Sequence, residues 1–401
     1  MPAIKGVSAA TASRGFYAGR GLERDDVFLF AFDKGTVCAG VFTRSTTASA
    51  DVQWCREALA SGKGDARALV VNSGNSNAFT GSKGILKNEA TLTAMIESLG
   101  VPKDQCFLAA TGVIGEPLPD PNYVGGIVPE MADRLDTPDW EACARAFMTT
   151  DTYPKGASAT CEIDGHTVTL TGIAKGSGMI APNMATMLAY VFTDAAIAPD
   201  LLDQLLRESV NTSFNAITVD GDTSTSDTVM VFATGQSGAP LITTRDETHL
   251  MLLANALSDI CRNLAWQVVK DGEGATKFIS ISVEGATTEA SARIIASDIA
   301  NSPLVKTALA AGDANWGRVV MAVGKSGEPI DLNQLSIWFG DTQVAAAGGR
   351  AERYDEDAAM AECAKPEIDI RVRVGSGHGR YTVYTCDLTH AYIDINGAYR
   401  T

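Results

Sequence analysis

Lys175-Gly176-Ser177-Gly178-Met179-Ile180-Ala181-Pro182-Asn183-Met184-Ala185-Thr186-Met187-Leu188-Ala189-Tyr190-Val191-Phe192 changes character halfway along. The first half, with two glycines and a lysine, reads as a flexible loop. The second half is an almost unbroken apolar run, the pattern of a strand buried on both faces. Thr186 stands where the two meet. If the loop presses its hydroxyl onto the Ala185 carbonyl, an N-to-O acyl shift and hydrolysis free Thr186 as a new N-terminus. Its α-amine, with a pKa of roughly 7.7–8.0, then lies beside its own hydroxyl and takes that proton near neutral pH. The plain alternative is a β-branched residue that suits a strand.

Working outward, the 401 residues are enough for a large core in roughly two or three lobes. Apolar content of 45% and charged content of 20% are those of an ordinary globular chain. A net charge of −16 argues against a nucleic-acid surface, which needs clustered Lys and Arg. No apolar run reaches the ~18–20 residues of a membrane span. Met1-Pro2-Ala3-Ile4-Lys5-Gly6 lacks the apolar core of a signal peptide, so a cytoplasmic location is the default expectation. The cysteines are scattered without a CxxC pair, which points to buried free thiols rather than zinc or disulfides. The four histidines form no HExxH cluster. Such scarcity favours a nucleophile that carries its own base.

The pattern predicts strands over 36–43 and 67–71. The second runs into Asn72-Ser73-Gly74-Asn75-Ser76-Asn77, which is either turn chemistry or a polar cradle beside a site. A helix follows with Ile85, Leu92, Met95, Ile96 and Leu99 on one side and Gly100 closing it. Strand 106–110 ends in Thr111-Gly112-Val113-Ile114-Gly115, where glycines free backbone N–H groups to face a ligand, as an oxyanion hole requires. Asp164-Gly165 predicts a tight hairpin whose second strand delivers Lys175, either a solvated charge or a partner for a substrate carboxylate. A helix opens near Pro199. The dense polar loop 217–228, with Asp220, Asp222 and Asp227, lacks EF-hand spacing and reads as a structural loop near the site.

Helix 246–270 stops at Asp271-Gly272-Glu273-Gly274. A carboxylate gains little from the dipole at a helix C-terminus, so Glu273 suits proton transfer or a cationic substrate amine, unless it is a simple turn residue. Helical periodicity over 289–311 and strands over 368–374, 381–386 and 392–395 complete the pattern. Gly324-Lys325-Ser326 resembles the end of a P-loop, but Val319 stands where the upstream glycine is needed.

Together these stretches resemble the ornithine acetyltransferase family of arginine biosynthesis, also called the glutamate N-acetyltransferase family. The resemblance runs end to end. It is carried by Asn72-Ser73-Gly74-Asn75, by Ala110 through Glu116, by Met148-Thr149-Thr150-Asp151-Thr152 and by Lys175 through Leu188. It continues in Thr218 through Thr225, Asp271 through Lys277, Asn315-Trp316-Gly317-Arg318 and Ile395-Asn396. Ser226 and Arg400 depart from the family pattern.

The resemblance implies an α/β fold of layered sheets and helices, distinct in connectivity from the usual N-terminal-nucleophile hydrolases. It implies cleavage between Ala185 and Thr186, giving an α chain (1–185) and a β chain (186–401) that assemble as α₂β₂. Carried over by residue, Thr186 is the nucleophile, and Thr111 and Gly112 form the oxyanion hole. Thr152, Lys175, Glu273, Asn396 and Thr401 contact substrate, with Thr150 close beside Thr152. The implied reaction moves an acetyl group from N-acetylornithine to glutamate without metal or organic cofactor, with acetyl-CoA as a further donor if the enzyme is bifunctional. Two rivals stand beside it: a threonine-nucleophile amidase or aminopeptidase, and a non-catalytic small-molecule-binding protein.

Overall fold

A computed structural model describes residues 1–181, 187–244 and 248–397, without the Arg20 side chain. Among these, two sheets face each other across a layer of aromatic side chains. One has the strand order Val7–Ala12, Val27–Phe32, Ala68–Asn72, Cys106–Ala110. The other runs Val37–Phe42, Thr228–Ala233, Leu188–Thr193, His166–Lys175, Lys155–Ile163.

Side-chain alternation assigns the faces. In Val27–Phe32, Phe28, Phe30 and Phe32 join the inter-sheet layer, while Val27 and Leu29 join the opposite face with Leu92 and Met95 of helix Gly81–Leu99. In Leu188–Thr193, Leu188, Tyr190 and Phe192 face the other sheet. Ala189 and Val191 pack with helices Pro199–Asn211 and Thr248–Lys270. The apolar run after Thr186 is thus covered on both sides, as its sequence requires. Ring pairs lock the layer, with centroids 4.4 Å apart for Phe32–Phe232 and 4.5 Å for Phe30–Phe192. The result is a helix–sheet–sheet–helix stack.

A further sheet runs Gly349–Arg350, Thr342–Ala346, Ser336–Phe339, Glu367–Arg373, Phe278–Ala286, Gly379–Cys386. Helices Glu289–Ala300, Pro303–Ala310 and Trp316–Lys325 back it around a core of its own.

The Asp164-Gly165 hairpin forms as read, with φ of 49° and 75° as a type I′ turn demands. Three expectations change. The helical stretch 289–311 is two helices, because Ser302 caps the amide of Val305 and Pro303 opens a new first turn. Residues 392–395 lie in helix His390–Asn396 rather than a strand. Their alternating apolarity has no sheet to bury it, and Ile393 is 66% exposed. Ile85 also leaves the buried side of its helix, which Lys87, Asn88 and Thr91 occupy instead. Gly324-Lys325-Ser326 ends a helix instead of preceding one, so it makes no phosphate cradle. The cysteines are free and, apart from half-buried Cys161, buried. No described helix is long and apolar enough to cross a membrane.

Candidate active site

Five strand ends converge at one edge of the stack. Ala68–Asn72 and Cys106–Ala110 run parallel, so Asn72 and Ala110 end side by side and their following loops meet. Across the aromatic layer, Lys175 ends its strand opposite Leu188, and Leu188 pairs in parallel with Thr228. The chain therefore leaves the five-stranded sheet at Lys175 and re-enters it at Leu188, both at this edge. Ala185 and Thr186 lie outside the described residues, as does Thr401; Met187 follows them immediately and is buried.

A cavity of about 240 Å³ opens here, walled by Thr111, Gly112, Thr150, Lys175, Glu273 and Asn396 among others. Lys175 is buried and its Nζ donates to Thr111 Oγ1 at 3.0 Å, tying one sheet to the other. Gly112 has φ +129°, and a Cβ there would lie 2.4 Å from the Gly74 carbonyl carbon. The Asn72–Asn77 turn and the Thr111-Gly112 turn can touch only because that position is glycine. On the opposite wall Asn396 Nδ2 donates to Glu273 Oε2 at 2.6 Å. Glu273 packs so tightly on Gly178 that any Cβ on Gly178 would meet its carboxylate at 2.4 Å.

Thr111, Gly112, Lys175, Glu273 and Asn396 are thus brought together. Thr152 is not in that wall. Its amide donates to Asp271 Oδ2 at 3.0 Å and its hydroxyl to Asp271 Oδ1, while Thr150 lines the cavity and shares a 2.6 Å hydrogen bond with Ser177.

Behind Lys175 lies an ionic cluster that the sequence did not announce. The fully buried Lys155 Nζ donates to Asp151 Oδ1 at 2.7 Å and to Asp271 Oδ2 at 2.6 Å. Asp151 also accepts the Gly176 amide at 2.7 Å. Loop 149–152, the chain at Gly176 and the end of helix Thr248–Lys270 are held by this one cation. Burial by itself would raise the Asp151 pKa, but Lys155 and Lys175 together with these hydrogen bonds hold it below the ordinary aspartate value. Burial lowers the Lys175 pKa, opposed by Asp151. Asp220, raised by burial, fixes the loop from the other side by accepting the amides of Met179 and Ile180. Tyr392, on the helix misread as a strand, completes that wall. A short Thr-Asp-Thr run gave some hint of Asp151; nothing in sequence links Lys155 to Asp271, 116 positions apart.

The site can be set beside known proteins. The family model described as the ArgJ family matches residues 10–401. The arginine biosynthesis bifunctional protein ArgJ of Bradyrhizobium diazoefficiens is 53% identical over 406 residues, covering all of this chain and 96% of that protein. Its counterpart in Caulobacter vibrioides is 50% identical over 402 residues, covering all of this chain and 99% of that one. A crystal structure of arginine biosynthesis bifunctional protein argJ from Bacillus halodurans superposes with a TM-score of 0.51 at 38% identity. The match takes in 53% of this chain and 100% of that chain. This chain belongs to the ArgJ family.

Proposed function

We propose that the chain is an acetyltransferase of arginine biosynthesis that carries acetyl from N-acetylornithine to glutamate on Thr186. The observation that carries this reading is the convergence of Thr111-Gly112, Lys175 and the Glu273–Asn396 pair on one cavity, at the edge where Met187 leads into strand Leu188–Thr193. In this reading the chain cuts itself between Ala185 and Thr186. The Bacillus halodurans chain supports the cut, since all of it corresponds to only 53% of this chain, the share expected of a fragment beginning at Thr186.

The Thr186 hydroxyl then attacks the acetyl carbonyl while the new α-amine takes its proton. Negative charge on the carbonyl oxygen meets Thr111 and the Gly112 N–H, each donor contributing roughly 3–4 kcal/mol in comparable sites. Lys175 holds the α-carboxylate that both substrates share. Glu273, fixed by Asn396, takes the cationic amine of ornithine on the opposite wall, and Thr150 supplies the threonine contact. Glutamate's amine next attacks the acetyl-threonine and leaves as N-acetylglutamate. No metal or organic cofactor enters this scheme. Relatives are named bifunctional proteins, which fits acetyl-CoA serving as a second donor. The α and β chains pair as α₂β₂ in the cytoplasm.

Intact mass of the purified protein tests the reading. Two fragments are expected, and incubation with N-acetylornithine should add one acetyl group to the C-terminal one. An uncut chain would remove the mechanism, and ornithine release that needs no glutamate would make the enzyme a hydrolase. Gly112→Ala gives a second check. Its Cβ forces the two turns apart, so kcat should fall roughly 10²–10³-fold while the protein stays folded by circular dichroism. A near-normal kcat would exclude Gly112 from the oxyanion hole.

A further inference from the structure

Among the described residues, the charged groups lining the site cavity are Lys175, Asp220, Asp222 and Glu273. In the acetyltransferase reading above, Lys175 meets the α-carboxylate that both substrates share. Their side chains end in opposite charges, an ammonium on ornithine and a carboxylate on glutamate. Three fixed carboxylates attract the first and repel the second. The γ-carboxylate of glutamate therefore needs an uncharged donor near the Glu273 wall. Asn396 is already committed there, because its Nδ2 donates to Glu273 Oε2 at 2.6 Å and to the Tyr392 carbonyl at 3.0 Å. Thr150 is tied to Ser177 at 2.6 Å. Tyr392 differs. It lies one turn before Asn396 on the same face of helix His390–Asn396 and lines the cavity. Thr389 pins the start of that helix to the Glu273 turn by donating to the Gly274 carbonyl at 2.6 Å. The Tyr392 hydroxyl reaches Asp220 Oδ2 at 3.4 Å, longer than an ordinary O–H···O bond. Asp220 does not depend on that contact, since it also accepts the amides of Met179 at 2.6 Å and Ile180 at 2.9 Å.

We propose that the Tyr392 hydroxyl is the specificity-determining contact that lets one cavity take side chains of opposite charge. This deepens the acetyltransferase reading and rests on it. With N-acetylornithine bound, the hydroxyl keeps its proton on Asp220, and its oxygen accepts from the side-chain ammonium. With glutamate bound, the hydroxyl turns about its C–O bond and donates to the γ-carboxylate. A hydroxyl can do both because it carries one donor and two acceptor lone pairs, whereas Glu273, Asp220 and Asp222 as carboxylates can only accept. The long contact to Asp220 makes the turn inexpensive, and the two backbone amides keep Asp220 satisfied while it lasts. Burial raises the Tyr392 pKa, and Asp220, Glu273 and Asp222 push it further the same way, so the phenol keeps the proton that the second role needs.

Tyr392→Phe removes the hydroxyl and keeps the ring, and the test is how its loss divides between the two substrates. In a ping-pong reaction kcat/KM for each substrate reports that substrate's own half of the cycle. The value for glutamate should fall roughly 10–100-fold, the effect of losing a hydrogen bond to a charged group. The value for N-acetylornithine should fall less than about threefold, because Asp220 and Glu273 still meet the ammonium. Norvaline has the carbon skeleton of glutamate without the γ-carboxylate oxygens. As acceptor it should serve the variant within about twofold of the wild type, so the preference for glutamate over norvaline collapses. Equal losses for both substrates, or for glutamate and norvaline alike, would mean that Tyr392 only supports the helix, and an unchanged glutamate value would remove it from the site; either result overturns the proposal. Failure of the acetyltransferase reading looks different, since the wild type itself would then move no acetyl from N-acetylornithine to glutamate, and the inference falls with it.

Discussion

Thr186→Ala should purify as one full-length chain whose acetyl transfer lies about 10⁴-fold or more below the wild type. Both losses have one origin in the proposed mechanism, where the hydroxyl that opens the Ala185 carbonyl in maturation is also the one that later carries acetyl. Residue 186 is outside the described part of the chain, but what surrounds its place is not. Met187 is held by Asp227, and Lys175 reaches across to Thr111. None of these supplies an exposed nucleophile to take over. Thr186→Ser retains the hydroxyl and should still cleave and transfer, at a reduced rate. Mass spectrometry and a coupled assay for ornithine release check both variants. A Thr186→Ala protein that arrives in two pieces, or that transfers acetyl above about 1% of wild type, would move the chemistry to another residue.

Lys155→Met should cost about 3–5 kcal/mol of stability near neutral pH, because it leaves two buried carboxylates facing each other without their cation. Asp151 and Asp271 each lose their hydrogen bond to Nζ, and neither is open to water. The pH dependence has a definite sign. In the wild type the folded-state pKa of Asp151 lies below the ordinary value of 3.8, so its stabilising contribution is present above that value and lost as pH falls through the folded one. Without Lys155 burial has less to oppose it and Asp151 holds its proton more tightly than in the wild type, so the variant gains on the wild type as pH falls. Denaturant melts at neutral and acid pH measure this directly. A loss under about 1 kcal/mol, or one that ignores pH, would mean that water had entered the cluster.

What could be read from sequence follows how local each signal is. The strand after Thr186 and the Asp164-Gly165 turn depend on neighbouring residues and were legible. So were the glycines after Ala110, although only the structure reveals that Gly112 is pressed against Gly74. The split at Ser302-Pro303 was written in a cap and a proline and was masked by continuous apolar periodicity on both sides. Residues 392–395 misled because alternation is informative only where a sheet exists to receive it. Lys155 and Asp271 could not be paired in advance, since their meeting depends on how a hairpin and a distant helix dock. Thr150 and Thr152 illustrate the same limit, because a two-residue spacing cannot say which hydroxyl faces the cavity and which turns to Asp271.

The order of the five-stranded sheet has a consequence for any molecule cut at residue 185. Strands from the two sides of the cut are neighbours twice, where Val37–Phe42 meets Thr228–Ala233 and where His166–Lys175 meets Leu188–Thr193. Severing one peptide bond therefore leaves the pieces stitched together by two ladders and a shared aromatic seam. Gel filtration should show a single inseparable particle, and only a denaturant strong enough to melt the whole sheet will part them.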